Sequence, residues 1–360
     1  MNGILHVLQS FRAEGCPRLA LALLEEERRQ TGRVGGAVAF GDLPDDLISA
    51  FERAGYPTAT LGCGPRDWLG SGVRLAAHMA AVGARAAICY PMSLFCVSAA
   101  WAARANGVRL AIHAGSAVNP EDDGSHWRLR LVLGLARPAR PRFAACSEHV
   151  RRGVTHFGKL PGREVVTIPN GIDLSRFSAV RTKHSAARSS RPLMVGMVAS
   201  FEEKDQDTLI EAVVRLNQSG RAARLLLAGD GSRRETLRSL TQRLAADPWV
   251  EFCGAVRDVP GFLAELDVFA FCVYPIEGLG IALIEALAAG LPAVGSDVPA
   301  CREVLGRGRL GTIVAGRDPA IWADALWSAA RRPPVPLAEL ARYDIAETFR
   351  AYDRLLGRHR

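Results

Sequence analysis

The chain has little that would place it among secreted, metal-binding or membrane-spanning proteins. Its eight cysteines form no Cys-x-x-Cys pair, and most lie among apolar or small residues, so neither a zinc site nor a disulfide framework is expected. The first eight residues have no basic start and read as a β-strand, so no secretory signal is predicted. The longest weakly polar run, 86–103, contains Pro91 and changes from strand-like to helix-like composition, which argues against a transmembrane span. These absences predict a reduced, cytoplasmic protein.

The positive charge is concentrated in one region. The formal net charge of the 360 residues is +8, whereas residues 101–200 carry 16 Lys/Arg against 6 Asp/Glu, which gives 16 − 6 = +10. Within that region, 126–142 places arginines beside Trp127 and several leucines. The pattern is typical of a helix on an anionic membrane surface, with the protein peripheral on the inner face, and equally of a half-buried helix with solvated arginines. Nucleic acid is not an expected partner, because neither a wide basic stripe nor a known module is present.

Short β-rich runs alternate with helical runs along the chain, which is the α/β pattern. Seven strands are predicted before residue 170 and six after residue 190, and both sets read as doubly wound, Rossmann-like sheets. The predicted organisation is an N-terminal Rossmann-like domain at 1–172, a linker at 173–190, a C-terminal Rossmann-like domain at 191–335, and a C-terminal segment at 336–360 whose helix returns toward the N-terminal domain. Ligands of such sheets bind outside the carboxyl ends of the strands.

The most informative stretch runs from Glu277 to Glu285. A Gly278-Leu279-Gly280 turn leads into an apolar helix that begins near Ile281. The N–H groups at a helix start lack intrahelical acceptors and attract anions such as phosphates. One carboxylate precedes this helix and the other lies in its second turn, so both are candidates for a sugar or ribose. Taken alone, the pair is equally consistent with an ordinary loop carboxylate and a solvated helix residue.

Three further strand ends carry polar or glycine residues suited to a nucleotide sugar. Gly229-Asp230-Gly231-Ser232 follows one strand, and glycines there allow close approach of the backbone to a ligand. Lys204 follows another strand and offers a point charge for a diphosphate. His113 ends a third strand beside small residues. Each feature also has a non-functional interpretation. The glycines are consistent with a plain strand-to-helix turn, Lys204 with a surface lysine, and His113 with a structural histidine.

Seven motifs in order support a family resemblance, densest over 165–305. They are Val166–Asp173 followed by Phe177, Lys204-Asp205, Leu227–Gly231, Phe252–Gly254 with Asp258-Val259, Glu277–Glu285, its continuation to Val294, and Glu303–Leu305. The chain resembles the retaining GT-B glycosyltransferases of family 4 (glycosyl transferases group 1). The resemblance implies two Rossmann-like domains that face each other across a cleft, with 1–172 on the acceptor side and 191–335 binding the nucleotide sugar. It also implies transfer of a sugar from a UDP- or GDP-linked donor.

The resemblance assigns roles to the residues of the C-terminal half. Glu285 would bind the ribose hydroxyls, Glu277 the donor sugar, and Lys204 the charge of the leaving diphosphate. The remaining donor-binding candidates are Ser200, Gly231, Val256 (base), Gly278, Leu279, Gly280 and Ile281.

In the N-terminal half, Gly15 would let the backbone approach the diphosphate and His113 would contact the sugar near its 6-position. No metal or other cofactor is expected, because helix ends and basic side chains take the place of a divalent ion.

Two positions depart from the family pattern. Ser200 stands where the family usually has a second cation for the diphosphate, and Glu14-Gly15 replaces a Gly-Gly pair. Arg12 or Arg18 would be substitutes. The expected acceptor is a glycan, carried on a lipid in bacterial surface polysaccharide synthesis. The alternatives are a soluble small-molecule acceptor and a catalytically weak, glycosyltransferase-like partner protein.

Overall fold

The computed structural model describes residues 1–12, 15–41, 47–64, 67–183, 191–202 and 204–358. They form two units. Unit 1 contains Met1–Asp173 and Arg342–Arg360, and unit 2 contains Leu174–Ala341. The division after Asp173 lies one residue beyond the predicted end of the N-terminal domain.

Unit 1 is built on a sheet of seven parallel strands in the order β3-β2-β1-β4-β5-β6-β7. The strands are β1 Leu5–Leu8, β2 Gly36–Ala39, β3 Thr58–Thr60, β4 Ala86–Cys89, β5 Arg109–Ala114, β6 Arg142–Ala145 and β7 Val165–Thr167. The helices are α1 Gly15–Thr31, α2 Ile48–Arg53, α3 Trp68–Ala81, α4 Leu94–Ala105, α5 Asp123–Ala136 and α6 Glu148–Gly158. Every residue of β1, β2 and β4 is buried, as expected for strands covered on both faces.

Unit 2 has six parallel strands in the order β10-β9-β8-β11-β12-β13. The strands are β8 Leu193–Val198, β9 Ala223–Ala228, β10 Val250–Gly254, β11 Val268–Phe271, β12 Ala293–Ser296 and β13 Thr312–Val314. The helices are α7 Ser178–Lys183, α8 Gln206–Gln218, α9 Arg234–Arg243, α10 Val259–Ala264, α11 Ile281–Ala288, α12 Pro299–Val304 and α13 Pro319–Ala329. The two doubly wound parallel sheets predicted from the sequence are confirmed. In each sheet the strand order reverses at one point, between β1 and β4 and between β8 and β11.

The last helix, α14 Ile345–Leu355, belongs to unit 1 although it follows unit 2 in the chain. It begins after Asp344, whose side chain accepts a hydrogen bond from the N–H of Ala346 at 2.8 Å. Its apolar face enters the same core cluster as Leu19 and Leu23 of α1 through Ile345, Phe349, Tyr352 and the following Leu356. Ile172 also pairs with Asp344 in an isolated parallel bridge, so the two segments of unit 1 share backbone contacts.

The segment after Asp173 differs from the predicted loose linker. Leu174–Phe177 forms a 3-10 turn that runs directly into α7, and Phe177 and Val180 are buried in unit 2. A composition rich in Ser, Ala and basic residues predicts a linker here. Burial of Phe177 and Val180 instead favours the helical conformation of α7. Residues 184–190 of the predicted linker lie outside the described residues. Across the described ranges, no helix has both the length and the apolar character needed to cross a bilayer.

Candidate functional site

The candidate site of unit 2 lies where its strand order reverses. Lys204 follows β8 and Glu277 follows β11, and these two strands are hydrogen-bonded neighbours. Lys204 also forms an isolated antiparallel bridge with Val273, which brings the loop after β8 against the loop after β11. The carboxyl ends of two adjacent parallel strands therefore bring these two charged side chains together at the position where doubly wound sheets bind ligands.

Lys204 and Glu277 form an ion pair. The distance from Lys204 Nζ to Glu277 Oε2 is 2.5 Å, and the two side chains are 18% and 15% exposed. Because the pair is mostly shielded from water, its attraction is screened less than that of a surface pair. The second oxygen of Glu277 accepts hydrogen bonds from the N–H groups of Gly280 at 3.1 Å and Leu279 at 3.4 Å. Glu277 thus pairs with Lys204 through one carboxylate oxygen and binds N–H groups at the amino end of α11 through the other.

The turn before α11 depends on Gly280. Its φ is +85°, and a Cβ at this position would lie 2.9 Å from the ring of Phe271. Glycine adopts this left-handed conformation without steric cost. Leu279 is buried, and Ile281, as the first helical residue, has an N–H without an intrahelical acceptor. The predicted anion site at the Gly278–Ile281 turn thus consists of backbone N–H groups beside one ammonium and one carboxylate.

A cation lies at the carboxyl end of α11. Arg181 of α7 donates from Nη1 to the carbonyl oxygens of Leu287 and Ala288, each at 3.3 Å. These carbonyls lie in the last turn of the helix, where the helix dipole is negative. Burial lowers the pKa of Arg181. The carboxylate of Glu277 at the amino end and the guanidinium of Arg181 at the carboxyl end both match the helix dipole of α11.

Lys204 is held by groups on both sides. Its neighbour Asp205 is 3% exposed, and the N–H of Asp205 donates to the carbonyl of Cys272 at 3.1 Å. The Asp205 carboxylate caps α8 by accepting from the Thr208 hydroxyl at 2.8 Å. Burial, together with the Asp205 charge, raises the pKa of the Cys272 thiol above its usual range. Asp205 therefore anchors the backbone next to Lys204 in the core of unit 2.

Arg233 is a site residue that the sequence reasoning missed. Its Nη1 donates to the backbone carbonyl of Lys204 at 2.8 Å, and its Nη2 pairs with Asp207 of α8. The pairing with Asp207 raises the pKa of Arg233. The available signal was its position directly after the Gly229–Ser232 turn at the carboxyl end of β9. Arg12 and Arg18, the substitute cations expected from the sequence, are exposed residues of unit 1.

The turns after β8 and β9 are joined by several contacts. The N–H of Phe201 donates to the Asp230 carbonyl at 2.9 Å, and Glu202 accepts from the Ser232 N–H at 2.7 Å. At Gly229, where φ is +148°, a Cβ would lie 1.8 Å from the carbonyl oxygen of Ala199. At Gly231, where φ is +157°, it would lie 2.8 Å from Glu202. The predicted glycines therefore permit contact between two loops, whatever their role toward a ligand.

The remaining predicted residues of unit 2 lie at the carboxyl edge of its sheet or in α11. Ser200 is exposed in the loop after β8, and its carbonyl accepts from the Gln206 amide at 3.0 Å. Val256 is half-buried in the loop between β10 and α10, and Glu285 is half-buried in the second turn of α11.

Two predicted residues, Gly15 and His113, belong to unit 1. Gly15 is exposed at the first position of α1, while the preceding Glu14 lies outside the described residues. His113 is fully buried near the end of β5, where its Nδ1 is hydrogen-bonded to the Tyr352 hydroxyl at 2.7 Å. Burial lowers the pKa of His113 to about 4, so its imidazole is neutral at physiological pH. Its Nε2 has no hydrogen-bond partner among the described residues and lies near Gly115, where a Cβ would be 3.2 Å away.

Comparison with known proteins identifies relatives for about half of the chain. Residues 191–331 match the family model for Glycosyl transferases group 1. The GDP-mannose-dependent alpha-(1-6)-phosphatidylinositol monomannoside mannosyltransferase of Mycobacterium tuberculosis is 30% identical over 179 residues, 46% of each chain. The phosphatidyl-myo-inositol mannosyltransferase of Mycobacterium leprae is 31% identical over 196 residues, 53% of this chain and 50% of the relative. The chain thus spans about half the length of the relatives it matches.

A solved structure extends the similarity of fold to the whole chain. Anabaena Alr3699/HepE in complex with UDP matches with a TM-score of 0.78 at 19% identity and full coverage of both chains. At that identity the match shows the fold alone, and this fold agrees with the two doubly wound sheets. The chain therefore has the GT-B fold, and its residues 191–331 match the family model of the glycosyl transferases group 1.

Proposed function

We propose that this protein is a retaining glycosyltransferase that moves a sugar from a nucleotide-diphosphate sugar to a glycan acceptor. The observation that carries the proposal is the Lys204–Glu277 pair beside the start of α11, at the point where the strand order of unit 2 reverses. An ammonium and a row of backbone N–H groups match the charge of a diphosphate. The family match over 191–331 supports the same assignment.

Donor binding would exchange the partners of Glu277. In the structure, this carboxylate accepts from Lys204, Leu279 and Gly280. A bound diphosphate would compete for the same donors, because they suit any anion. Glu277 would then be released to accept hydrogen bonds from the sugar hydroxyls. In this proposal the Glu277 carboxylate binds Lys204 and the two N–H groups while no donor is bound. After a diphosphate has taken its place, the carboxylate binds the sugar hydroxyls.

The proposed reaction needs no nucleophile from the protein. The bond between the anomeric carbon and the diphosphate oxygen breaks, and the acceptor oxygen forms its bond to that carbon on the same face. The acceptor proton passes to the leaving diphosphate. Lys204 and the N–H groups of Gly280 and Ile281 stabilise the negative charge that develops there. We assign no metal to this step.

The other assignments complete the proposed donor site. Glu285, one turn into α11, would accept from the ribose hydroxyls, and Val256 would contact the base. The loops that carry Ser200, Gly231 and Gly278 would line the donor. In unit 1, Gly15 would approach the diphosphate, whereas contact of His113 with the sugar would first require exposure of its buried imidazole.

The printed names of the relatives guide the choice of substrates. Both are named as mannosyltransferases of phosphatidylinositol lipids, and one as GDP-mannose-dependent. We therefore propose a GDP- or UDP-linked hexose as donor and a lipid-linked glycan as acceptor, in bacterial surface polysaccharide synthesis. The chain would act in the cytoplasm, at the inner face of the membrane.

Helix α5 supplies the surface for that membrane contact in our proposal. It buries Val132 and Leu133, whereas Trp127 is 55% exposed and Leu131 is 47% exposed. Apolar side chains beside arginines suit the interface of an anionic bilayer. Flotation with anionic liposomes tests this contact, using Trp127→Ser/Leu131→Ser against the exposed apolar control Ile321→Ser in unit 2. Equal flotation of all three proteins would contradict the membrane role.

The enzymatic proposal is tested by donor hydrolysis. GDP-mannose, UDP-glucose and other nucleotide sugars are incubated with the protein, and the released nucleoside diphosphate is measured with and without EDTA. We expect turnover of at least one donor, insensitivity to EDTA, and loss of turnover in Lys204→Ala. A protein that binds neither GDP nor UDP in calorimetry would instead be a non-catalytic partner.

A further inference from the structure

The amino edge of the unit 1 sheet carries a groove lined by arginines, opposite the strand ends that carry His113 and Gly115. One lobe is a cavity of about 450 Å³ beside the first residues of β5 and β6. The second lobe is a cavity of about 540 Å³ beside the starts of β6 and β7. Both lobes share the wall formed by Arg140, Pro141, Arg142 and Leu355, and we call them together the arginine groove.

Arginines reach the first lobe from four elements. Arg104 comes from α4, Arg109 from the start of β5 and Arg142 from the start of β6, while Arg140 precedes β6 and Arg354 lies in the last turn of α14. Among the described residues that line this lobe, none is acidic. Arg109 donates to the carbonyl of Gly357, which is a neutral acceptor.

The second lobe adds Arg137 and Arg163 and contains one carboxylate, Glu164. That carboxylate is already engaged, because Arg137 Nη2 lies 2.9 Å from Glu164 Oε1. Seven arginines thus line the whole groove against one paired acid. Like charges held together on rigid elements repel one another, and a bound multivalent anion would relieve that repulsion.

We propose that the arginine groove binds a phosphate-bearing polyanion. The planar fork of guanidinium donates two parallel hydrogen bonds to a phosphate, so several forks around one cavity favour clustered phosphates. The volume of the first lobe is in the range of small-ligand sites, which favours a compact ligand over an extended acidic peptide. The phosphates belong either to a free oligophosphate or to a lipid headgroup.

The binding experiment uses the full chain and sodium tripolyphosphate in calorimetry at low salt. We expect saturable binding that becomes at least about tenfold weaker in Arg104→Ser/Arg142→Ser, since two charge-assisted contacts are lost. The matched control, Arg53→Ser/Arg243→Ser, removes the same charge from exposed positions outside the groove and should bind as the wild type does. Equal affinities for the groove variant and the wild type would overturn the proposal.

Two further experiments test whether binding occurs at the groove or at the unit 2 site, and whether the phosphate is free or part of a lipid. Lys204→Ala removes the cation of the unit 2 site, and the tripolyphosphate binding that persists in this variant should still become at least about tenfold weaker on adding Arg104→Ser/Arg142→Ser, because Lys204 does not line the groove. Flotation with phosphatidylglycerol vesicles, compared with phosphatidylcholine vesicles, tests the lipid source with the same groove and control variants. Groove-dependent binding of either probe supports the site. Binding of neither, or of polyglutamate in preference to tripolyphosphate, refutes it.

Discussion

Lys204 is the residue on which the proposed chemistry depends most. It is one of three lysines in the chain, against 42 arginines. Its ammonium is a compact point charge, whereas a guanidinium spreads its charge over a plane. The side chain is mostly shielded, and its backbone is held by Arg233 and by the bridge to Val273. Such a charge needs little reorganisation when negative charge develops on a leaving group.

Replacing Lys204 with alanine is expected to lower turnover of the nucleotide sugar by about 100-fold or more, the scale of one lost transition-state contact. Glu277 keeps its two N–H donors, so the fold should persist. The measurement is kcat for donor hydrolysis, with circular dichroism to verify folding. Lys159→Asn serves as control, since Lys159 has a φ of +54° that asparagine tolerates. Undiminished turnover in Lys204→Ala would refute the assigned role.

The buried histidines make the stability of unit 1 sensitive to acid. Burial lowers the pKa of His113 to about 4, and burial with the nearby charge of Arg358 lowers that of His6 to about 3. An unfolded histidine takes up its proton near pH 6.5. Between pH 6.5 and about 4 the unfolded state therefore binds more protons, and the free energy of unfolding falls as the pH falls.

Between pH 7 and pH 5, we expect the free energy of unfolding to fall by about 2 kcal/mol less in His113→Asn than in the wild type, because the variant lacks the histidine whose pKa is lowered by folding. Urea unfolding at both pH values measures the slope. The exposed His156→Asn is the matched control and should retain the wild-type slope. Parallel slopes for His113→Asn and the wild type would contradict this explanation.

At the scale of elements, the loops after β8 and β9 behave as one support for the candidate site. Their contacts include Phe201 with Asp230, Glu202 with Ser232, and Arg233 with the Lys204 carbonyl. A substitution in the loop after β9 is therefore expected to displace Lys204 in the loop after β8. This coupling distinguishes the region from an ordinary pair of strand-to-helix turns.

A Gly229→Ala change should destabilise unit 2 by about 3 kcal/mol or more, because a backbone carbonyl stands where the Cβ would be placed. Gly220→Ala is the control, since its φ is +77° but no atom lies within 4 Å of its Cβ. That substitution should cost only the conformational penalty of about 1 kcal/mol. Chemical denaturation measures both, and similar losses would show that the close approach to Ala199 is unimportant.

Arg233→Lys tests the support of Lys204 directly. Lysine keeps the charge but loses the fork that bonds the Lys204 carbonyl and Asp207 together. We expect kcat for donor hydrolysis to fall about tenfold with KM little changed, because a displaced cation mainly weakens transition-state contacts. A raised KM with unchanged kcat would show instead that Arg233 binds the donor itself.

The sequence predicted the strands well and the tertiary supports poorly. Parallel strands buried on both faces read as short apolar runs, so all thirteen were located within one residue at either end. Lys204 and Glu277 were each named as candidate residues, whereas their ion pair was not predicted. The bonds of Arg233, and the burial of Phe177 and Val180 in a segment of linker-like composition, depend on partners far along the chain, which local patterns do not contain.

At the scale of the whole molecule, unit 1 is discontinuous and unit 2 is continuous. The core of unit 1 includes Phe349 and Tyr352 from α14 together with Leu19 and Leu23 from α1. Tyr352 also supplies the hydrogen-bond partner of His113. Residues 1–173 alone would expose this apolar surface, so we expect them to remain without a cooperative fold.

Fragment complementation tests this expectation. Residues 1–173 and a peptide of residues 342–360 are expected to give cooperative thermal unfolding only when mixed, while 174–341 should unfold cooperatively alone. Circular dichroism follows the transitions, and a Phe349→Ser/Tyr352→Ser peptide is the control. Cooperative unfolding of 1–173 by itself would contradict the assigned role of α14.

The discontinuity of unit 1 has a consequence for synthesis on the ribosome. Unit 2 is complete when Ala341 leaves the exit tunnel, whereas unit 1 must wait for α14, although its first strand was made first. The earlier unit therefore finishes folding last, and its apolar surface is available to chaperones throughout. A premature stop codon near residue 340 would leave the finished unit 2 almost whole and deprive the preceding unit of its core.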